Sequence, residues 1–267
     1  MGEAREGERG EAGLKCRIES HGFAEAFVIF EVIEDTTKLA LIVACLYFSL
    51  GAYMRRRQPA WSEPLQKRRL AVLLALVLAV SAIKVSEDVL GGESGPIDKA
   101  ILVFIHGHVP GTLTGFFEGI TFTGSSRVLF PLAATATIAL LCMRRRFEAV
   151  LLAASVIVGA TAVYVVKTAV GRARPALWDA EWYWGSSFPS GHTLVVAAFA
   201  TAAVLCVSRI RPAARKFALW IALLWIFLVG LSRLVIGVHW PTDVLAAVCI
   251  GAFLPLAMSL ALELRHA

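Results

Sequence analysis

From Leu39 onward the chain alternates long apolar stretches with short polar ones, and the apolar stretches are not the one-sided stripes of a soluble helix. Seven runs can be marked, over roughly 38–54, 70–90, 126–143, 147–167, 192–208, 217–234 and 242–262. Crossing ~30 Å of hydrocarbon takes roughly 20 helical residues, within a range of about 17 to 25. Each run is therefore expected to span a membrane, the first only barely. Residues 97–120 are also apolar, but His106, His108, Pro110 and several glycines interrupt them. That interruption predicts an interfacial segment. The first 22 residues mix Glu, Arg and Gly without period and are expected to hold no fixed structure.

Composition agrees with the pattern. Of 267 residues 58% are hydrophobic, and the mean hydropathy of +0.71 is that of an integral membrane protein. The formal charge of +6 does not point to nucleic acid, because the basic residues sit in short clusters between apolar runs. Those clusters fall at 55–69, 144–146 and 209–216, all on one side if seven helices alternate. The excess of Lys and Arg makes that side cytoplasmic. The opposite side receives 91–125, 168–191, 235–241 and the N-terminus, together with Trp178, Trp182, Tyr183, Trp184 and Trp240, as an aromatic belt would. The first apolar run follows Glu31, Glu34 and Asp35 and not a basic start, so no secretory signal is expected. Cys45, Cys142, Cys206 and Cys249 lie inside apolar runs and Cys16 stands alone. That spacing indicates neither a disulfide framework nor a metal site, and buried small hydrophobes are the expected reading.

Three polar stretches break the outer side: Lys167 to Pro175, Pro189 to His192, and Ser232 to Asp243. Thirteen residues separate Pro175 from Pro189, too few to cross a bilayer and return. Thirty-nine lie between His192 and Ser232, enough for one helix in, a basic turn and one helix back. The stretches therefore converge on one face. They bring Lys167, Arg172, Arg174 and Arg233 together with His192, His239 and Asp243. Four clustered cations call for an anion among them, and guanidinium forks match phosphate oxygens. The Pro-Ser-Gly-His stretch has the composition of a helix start, whose free amides and partial positive charge form an anion cradle. Imidazole can attack phosphorus or protonate a leaving oxygen. Asp243 follows His239 by four residues, with Pro241 suited to the first helical turn. Side chains there lean back toward the N-terminus, so Asp243 can reach the imidazole N–H.

Lys-x6-Arg-Pro, Pro-Ser-Gly-His and Ser-Arg-x5-His-x3-Asp, in this order, resemble the type 2 phosphatidic acid phosphatase (PAP2) superfamily, which also includes the vanadium haloperoxidases. Lys167, Arg174, Pro175, Pro189, Ser190, Gly191, His192, Ser232, Arg233, His239 and Asp243 all match the pattern. The resemblance covers roughly 70–262. It implies an all-α fold, a polytopic transmembrane bundle with a six-helix core, here with an extra N-terminal helix. The corresponding division is an extension over 1–69, a phosphatase domain over 70–262 and a cytoplasmic tail over 263–267. The resemblance implies His239 as nucleophile through a phosphohistidine, His192 as general acid and Asp243 as orienting carboxylate. It implies phosphate binding by Lys167, Arg174, Ser190, Gly191 and Arg233, with no metal and no cofactor.

The expected substrate is a lipid phosphate monoester or diphosphate of the undecaprenyl diphosphate, phosphatidylglycerophosphate or phosphatidate class. The expected location is a bacterial inner membrane, with the site on the periplasmic side and the lipid tail remaining in the bilayer. The same site would serve phosphotransfer or vanadate-dependent peroxidation, while an anion transporter would have no use for the His239–Asp243 pair. Lys84, Arg127 and Arg172 read as snorkelling interface anchors, with a phosphate contact open to Arg172 through its nearness to Arg174. His21, His106, His108 and His266 read as incidental, and Gly159 and Gly251 as helix-packing positions. The topology is checked by cysteines placed singly at positions 10 and 210 and labelled from outside intact cells. Labelling at 10 with protection at 210 is expected, and the reverse pattern would invert the orientation.

Overall fold

A computed structural model describes residues 33–57, 66–92, 94–177 and 185–264. Cys16, His21, His266, the middle of the first basic connection and the aromatic residues from Trp178 to Trp184 lie outside the described residues. The chain divides into two units, Met1–Phe48 and Ser49–Ala267. In the first, residues 33–48 open helix α1, Ile33–Arg57, where Lys38 pairs with Glu34 at 2.7 Å one turn earlier.

The second unit holds helices α2 (Arg69–Gly91), α3 (Gly95–His108), α4 (Thr114–Thr123), α5 (Ser126–Cys142), α6 (Arg146–Val170), α7 (Gly191–Ile210), α8 (Arg215–Val235) and α9 (Pro241–Leu264). Single 3₁₀ turns lead into α4 and α8, and no strand occurs among the described residues. Six helical segments are long and apolar enough to cross a membrane: α1, α2, α6, α7, α8 with its leading turn, and α9. The run predicted at 126–143 is α5, an apolar helix of 17 residues with Pro131 inside it. The barely sufficient first run becomes a helix of 25 residues, because the polar residues flanking it continue the same backbone ladder. The interrupted segment at 97–120 forms α3 and α4, bent 92° apart across Val109 and Pro110. The chain is an integral membrane protein built as a polytopic helical bundle.

Helix α7 is central. Ten of its residues are buried, and α9, α8 and α6 pack around it. Such close approach requires small side chains at the crossings, where backbones replace lipid as each other's packing surface. A Cβ on Gly251 would sit 2.7 Å from the Ala197 Cβ and would run into the Leu194 carbonyl of α7. One on Gly159 would meet the Ala198 Cβ at 3.3 Å. Both glycines are thus packing positions, as the sequence suggested. The cysteine expectation holds only for Cys206 and Cys249, since Cys45 and Cys142 are exposed on the outer faces of their helices. A lipid-facing surface is as apolar as a core, so an apolar run alone does not say which way a cysteine points.

The two ends of the bundle differ in character. At one end Arg209 bonds Glu263 at 2.6 Å and approaches Glu148 at 3.4 Å, while Arg68 reaches Glu263 at 3.0 Å. This network joins the start of α6, the end of α7 and the end of α9, and the residue before α2. Lys167, Gly191, Arg233 and Pro241 occupy the other end, at helix termini. The crossing at Gly251 predicts that Gly251→Ala loses about 1–3 kcal/mol through overpacking. Gly119→Ala, with open space around it, should be neutral or gain up to ~1 kcal/mol. Thermal unfolding in detergent, measured side by side, distinguishes the two.

Candidate active site

Four helix ends and one extended segment build the site. Helix α6 ends at Gly171, whose φ of 65° lets the chain leave the helix without a Cβ clash. Lys167 is thereby left in the last turn, with Arg172 and Arg174 on the extended stretch that follows. The Ser187 amide bonds the Arg172 carbonyl at 2.8 Å and its hydroxyl bonds the Ala173 carbonyl at 3.1 Å. These bonds bring the approach to α7 beside the arginines. Ser190 is the N-cap of α7, with Pro189 just ahead of it. At the end of α8, Gly237 at φ 77° makes the short turn that presents His239 before Pro241 opens α9.

The residues singled out in the sequence do converge. Lys167, Arg174, Arg233 and His239 all act electrostatically on His192, and Lys167 and Arg233 act on His239. Lys167 donates to the Ser186 carbonyl. Arg174 donates to the Val238 carbonyl at 2.8 Å and more weakly to that of Ser186 at 3.5 Å. The Arg233 side chain is buried and donates to the Thr121 hydroxyl at 2.7 Å. Backbone and hydroxyl oxygens thus hold three cations in place, at donor sites that also suit phosphate oxygens.

Ser190 and Gly191 are placed differently from a simple cradle. The Ser190 amide bonds the Asp243 carbonyl at 3.1 Å and its hydroxyl pairs with Thr193 at 2.9 Å, so both groups are committed inside the protein. A Cβ on Gly191 would meet Val163 at 3.2 Å and Lys167 at 3.8 Å. The bare α-carbon therefore lets α6 approach α7. The first-turn amides beginning at Gly191 are the groups of this turn left without an intrahelical partner.

His239 is 2% exposed. Its Nδ1 lies 3.4 Å from Asp243 Oδ2, a loose contact by hydrogen-bond standards. Its Nε2 lies 3.4 Å from an Arg174 nitrogen, which can only donate. This pairing selects the tautomer with hydrogen on Nδ1, facing Asp243, and a lone pair on Nε2. Asp243 is completely buried and its Oδ2 also accepts the Trp240 amide at 2.9 Å. Burial lowers the His239 pKa to about 4; the pull of Asp243 upward is outweighed, and Arg233 and Lys167 add to the lowering.

Arg172 is not the snorkelling interface anchor expected of it, since both ends of its fork turn to buried carboxylates. One end of its fork donates to Asp243 Oδ1 at 2.6 Å and Thr242 Oγ1 at 2.9 Å. The other donates to Asp98 Oδ2 at 2.7 Å and Ser94 Oγ at 3.1 Å. Asp98 and Thr121, from the two halves of the bent pair, went unrecognised in the sequence. A lone aspartate in the apolar segment 97–120 was the one available signal for Asp98; the Ser186 and Val238 carbonyls leave none. Lys84, by contrast, pairs with Asp88 on its own helix at 2.9 Å, and His108 bonds the Phe104 carbonyl at 2.8 Å.

The model of the PAP2 superfamily matches residues 148–266. A lipid A 1-phosphatase of Rhizobium johnstonii is 34% identical over 102 residues, covering 34% of this chain and 38% of that protein. Phosphatidylglycerophosphatase B of Escherichia coli is 40% identical over 67 residues, 25% of each chain. The match therefore spans well under half the length of these relatives. A transmembrane PAP2 type phosphatidylglycerolphosphate phosphatase from Bacillus subtilis superimposes with a TM-score of 0.62 at 25% identity, covering 72% of this chain and 96% of that one.

The burial of His239 generates a titration test. Its lowered pKa means that the native state holds the neutral imidazole, and the stability this contributes is complete above ~6.5. That contribution is lost as the pH falls toward about 4. Nitrogen-15 histidine spectra in detergent should show His239 still neutral at pH 5.5, and a midpoint at or above 6.5 would refute the burial argument.

Proposed function

We propose that this chain, which the PAP2 superfamily model matches over residues 148–266, belongs to that superfamily and is a membrane phosphatase acting on lipid phosphate monoesters or diphosphates through a phosphohistidine. The observation that carries this reading is the buried Asp243–His239 pair, with Nε2 presented among Lys167, Arg174 and Arg233. An anion site needs the cations alone. A nucleophile needs the tautomer selected by Asp243 as well.

In the proposed reaction the phosphate oxygens take donors from Lys167, Arg174, Arg233 and the first-turn amides from Gly191 onward. Ser190 shapes that turn as its N-cap. His239 Nε2 attacks phosphorus in line, forming a P–N bond as the P–O bond to the lipid breaks. A protonated His192 gives its proton to the leaving oxygen, while Asp243 stabilises the imidazolium through Nδ1–H. Water then attacks the phosphohistidine, His192 takes its proton, and orthophosphate leaves. Charge neutralisation by fixed donors in a poorly hydrated site supplies the main stabilisation.

We assign the catalytic domain to 70–262, with 1–69 as an extension and 263–267 as a tail. The basic connections at the opposite end favour an inner membrane with the site facing the periplasm. A site at helix ends suits an amphiphile whose headgroup enters laterally while its chain stays in lipid. The relatives' substrates favour a phosphorylated glycerolipid or lipid A headgroup.

Phosphate release by the purified protein in excess EDTA tests the reading. The panel holds phosphatidylglycerophosphate, undecaprenyl diphosphate, phosphatidate, a lipid A phosphate and a soluble sugar phosphate. Turnover of at least one lipid should survive EDTA and fall by at least about 10³-fold in His239→Ala, as loss of a nucleophile requires. Turnover unchanged in that variant would overturn the mechanism. Release from the sugar phosphate alone would overturn the lipid assignment.

A further inference from the structure

Resting on that reading, we propose that Asp98 and Arg172 are positioning residues that aim the Asp243 carboxylate at His239. Asp98 comes from the first turn of α3, and Arg172 from the extended stretch after α6. Asp243 stands in the first turn of α9. Three distant parts of the chain thus meet in one hydrogen-bonded row.

The geometry divides the work by atom. Arg172 holds Asp243 Oδ1 at 2.6 Å, which leaves Oδ2 for the Trp240 amide and His239 Nδ1. A carboxylate with both oxygens assigned cannot rotate about its last bond. Asp98 then fixes the arginine at 2.7 Å. It also grips the start of α9, accepting the Thr242 amide on Oδ1 at 3.0 Å and the Thr242 hydroxyl on Oδ2 at 2.6 Å. The guanidinium is held on its face by the Trp240 ring at 5.7 Å.

Charge explains why the row has this composition. Asp98 and Asp243 are both wholly buried, while the Arg172 side chain is 15% exposed. Two buried carboxylates without a cation between them would repel, and one cation serves both. A planar fork can bond two carboxylates at once, in fixed directions, which an ammonium cannot. Arg172 therefore acts through Asp243, at one remove from the phosphate. Arg174, two residues on, faces His239 instead.

The test uses the full-length protein in detergent, with Arg172→Lys, Asp98→Asn and the charge-balanced double variant D98N/R172Q. Steady-state kinetics on the preferred lipid of the panel, inhibition by orthophosphate and nitrogen-15 histidine spectra are recorded for each. Misalignment of a reacting group by a fraction of an ångström predicts a fall in kcat of about 10- to 100-fold. KM and the orthophosphate inhibition constant should stay within about threefold, because the phosphate donors are untouched. The His239 spectrum should lose its single Nδ1–H tautomer, a change that general loss of stability would not produce. A rise of tenfold or more in KM and in the inhibition constant, with kcat unchanged, would make Arg172 a phosphate contact and overturn the proposal. So would wild-type kcat with a wild-type tautomer. Should a single variant fail to fold, the double variant decides by the same readouts. Failure of the phosphatase reading is separately visible, as turnover that His239→Ala leaves intact, while the tautomer measurement still decides the positioning role.

Discussion

Two carboxylates with no access to water share one guanidinium, and the polar end of this bundle is arranged around that triad. Removing Arg172 would leave two buried negative charges uncompensated, a state that costs several kcal/mol in proteins generally. The constraint ties the first turn of α3, the extended stretch beyond α6 and the first turn of α9 to fixed relative positions. Helix α7 joins the same arrangement through the Ser190 amide and the Asp243 carbonyl. Once these four elements are fixed, the places of Lys167, Arg174, His192 and His239 follow.

Membrane physics explains why the chemistry sits at helix termini. Within hydrocarbon the backbone must satisfy its own hydrogen bonds, so free amides and bare carbonyls gather where helices begin and end. Those unsatisfied groups are the raw material of the site. Carbonyls of Ser186 and Val238 receive Lys167 and Arg174, and the first-turn amides of α7 are left without a helical partner. The far end of the bundle uses the same kinds of side chain for a different purpose: Glu148, Arg209, Glu263 and Arg68 cross-link helices, each charge having an opposite neighbour.

Much of this was legible from residue spacing. Apolar run lengths defined the helices, and the separations of 13 and 39 residues placed the three polar stretches on one face. The four-residue step from His239 to Asp243 predicted their contact, since a helical first turn leans its side chains backward. These features are local, or depend only on how many times a chain can cross a slab of known thickness. The sequence by itself therefore determined that the chain is a helical membrane bundle, that its polar groups meet at one end and which histidine and aspartate pair there.

What surrounds that pair was decided by tertiary structure. Asp98 lies 145 positions before Asp243, on a segment whose broken apolar pattern gave no register, and Thr121 reaches Arg233 from the other half of the same bent pair. Arg172 and Arg174 are two residues apart, yet one turns to buried carboxylates and the other to His239. On an extended backbone, alternate residues share a face only while the strand stays regular, and nothing holds this stretch regular except its contacts. The acceptors for Lys167 and Arg174 are backbone oxygens, which every residue carries and no sequence pattern marks. Local periodicity encodes where helices run; which buried charge finds which partner is set by three-dimensional proximity and the cost of leaving either one alone.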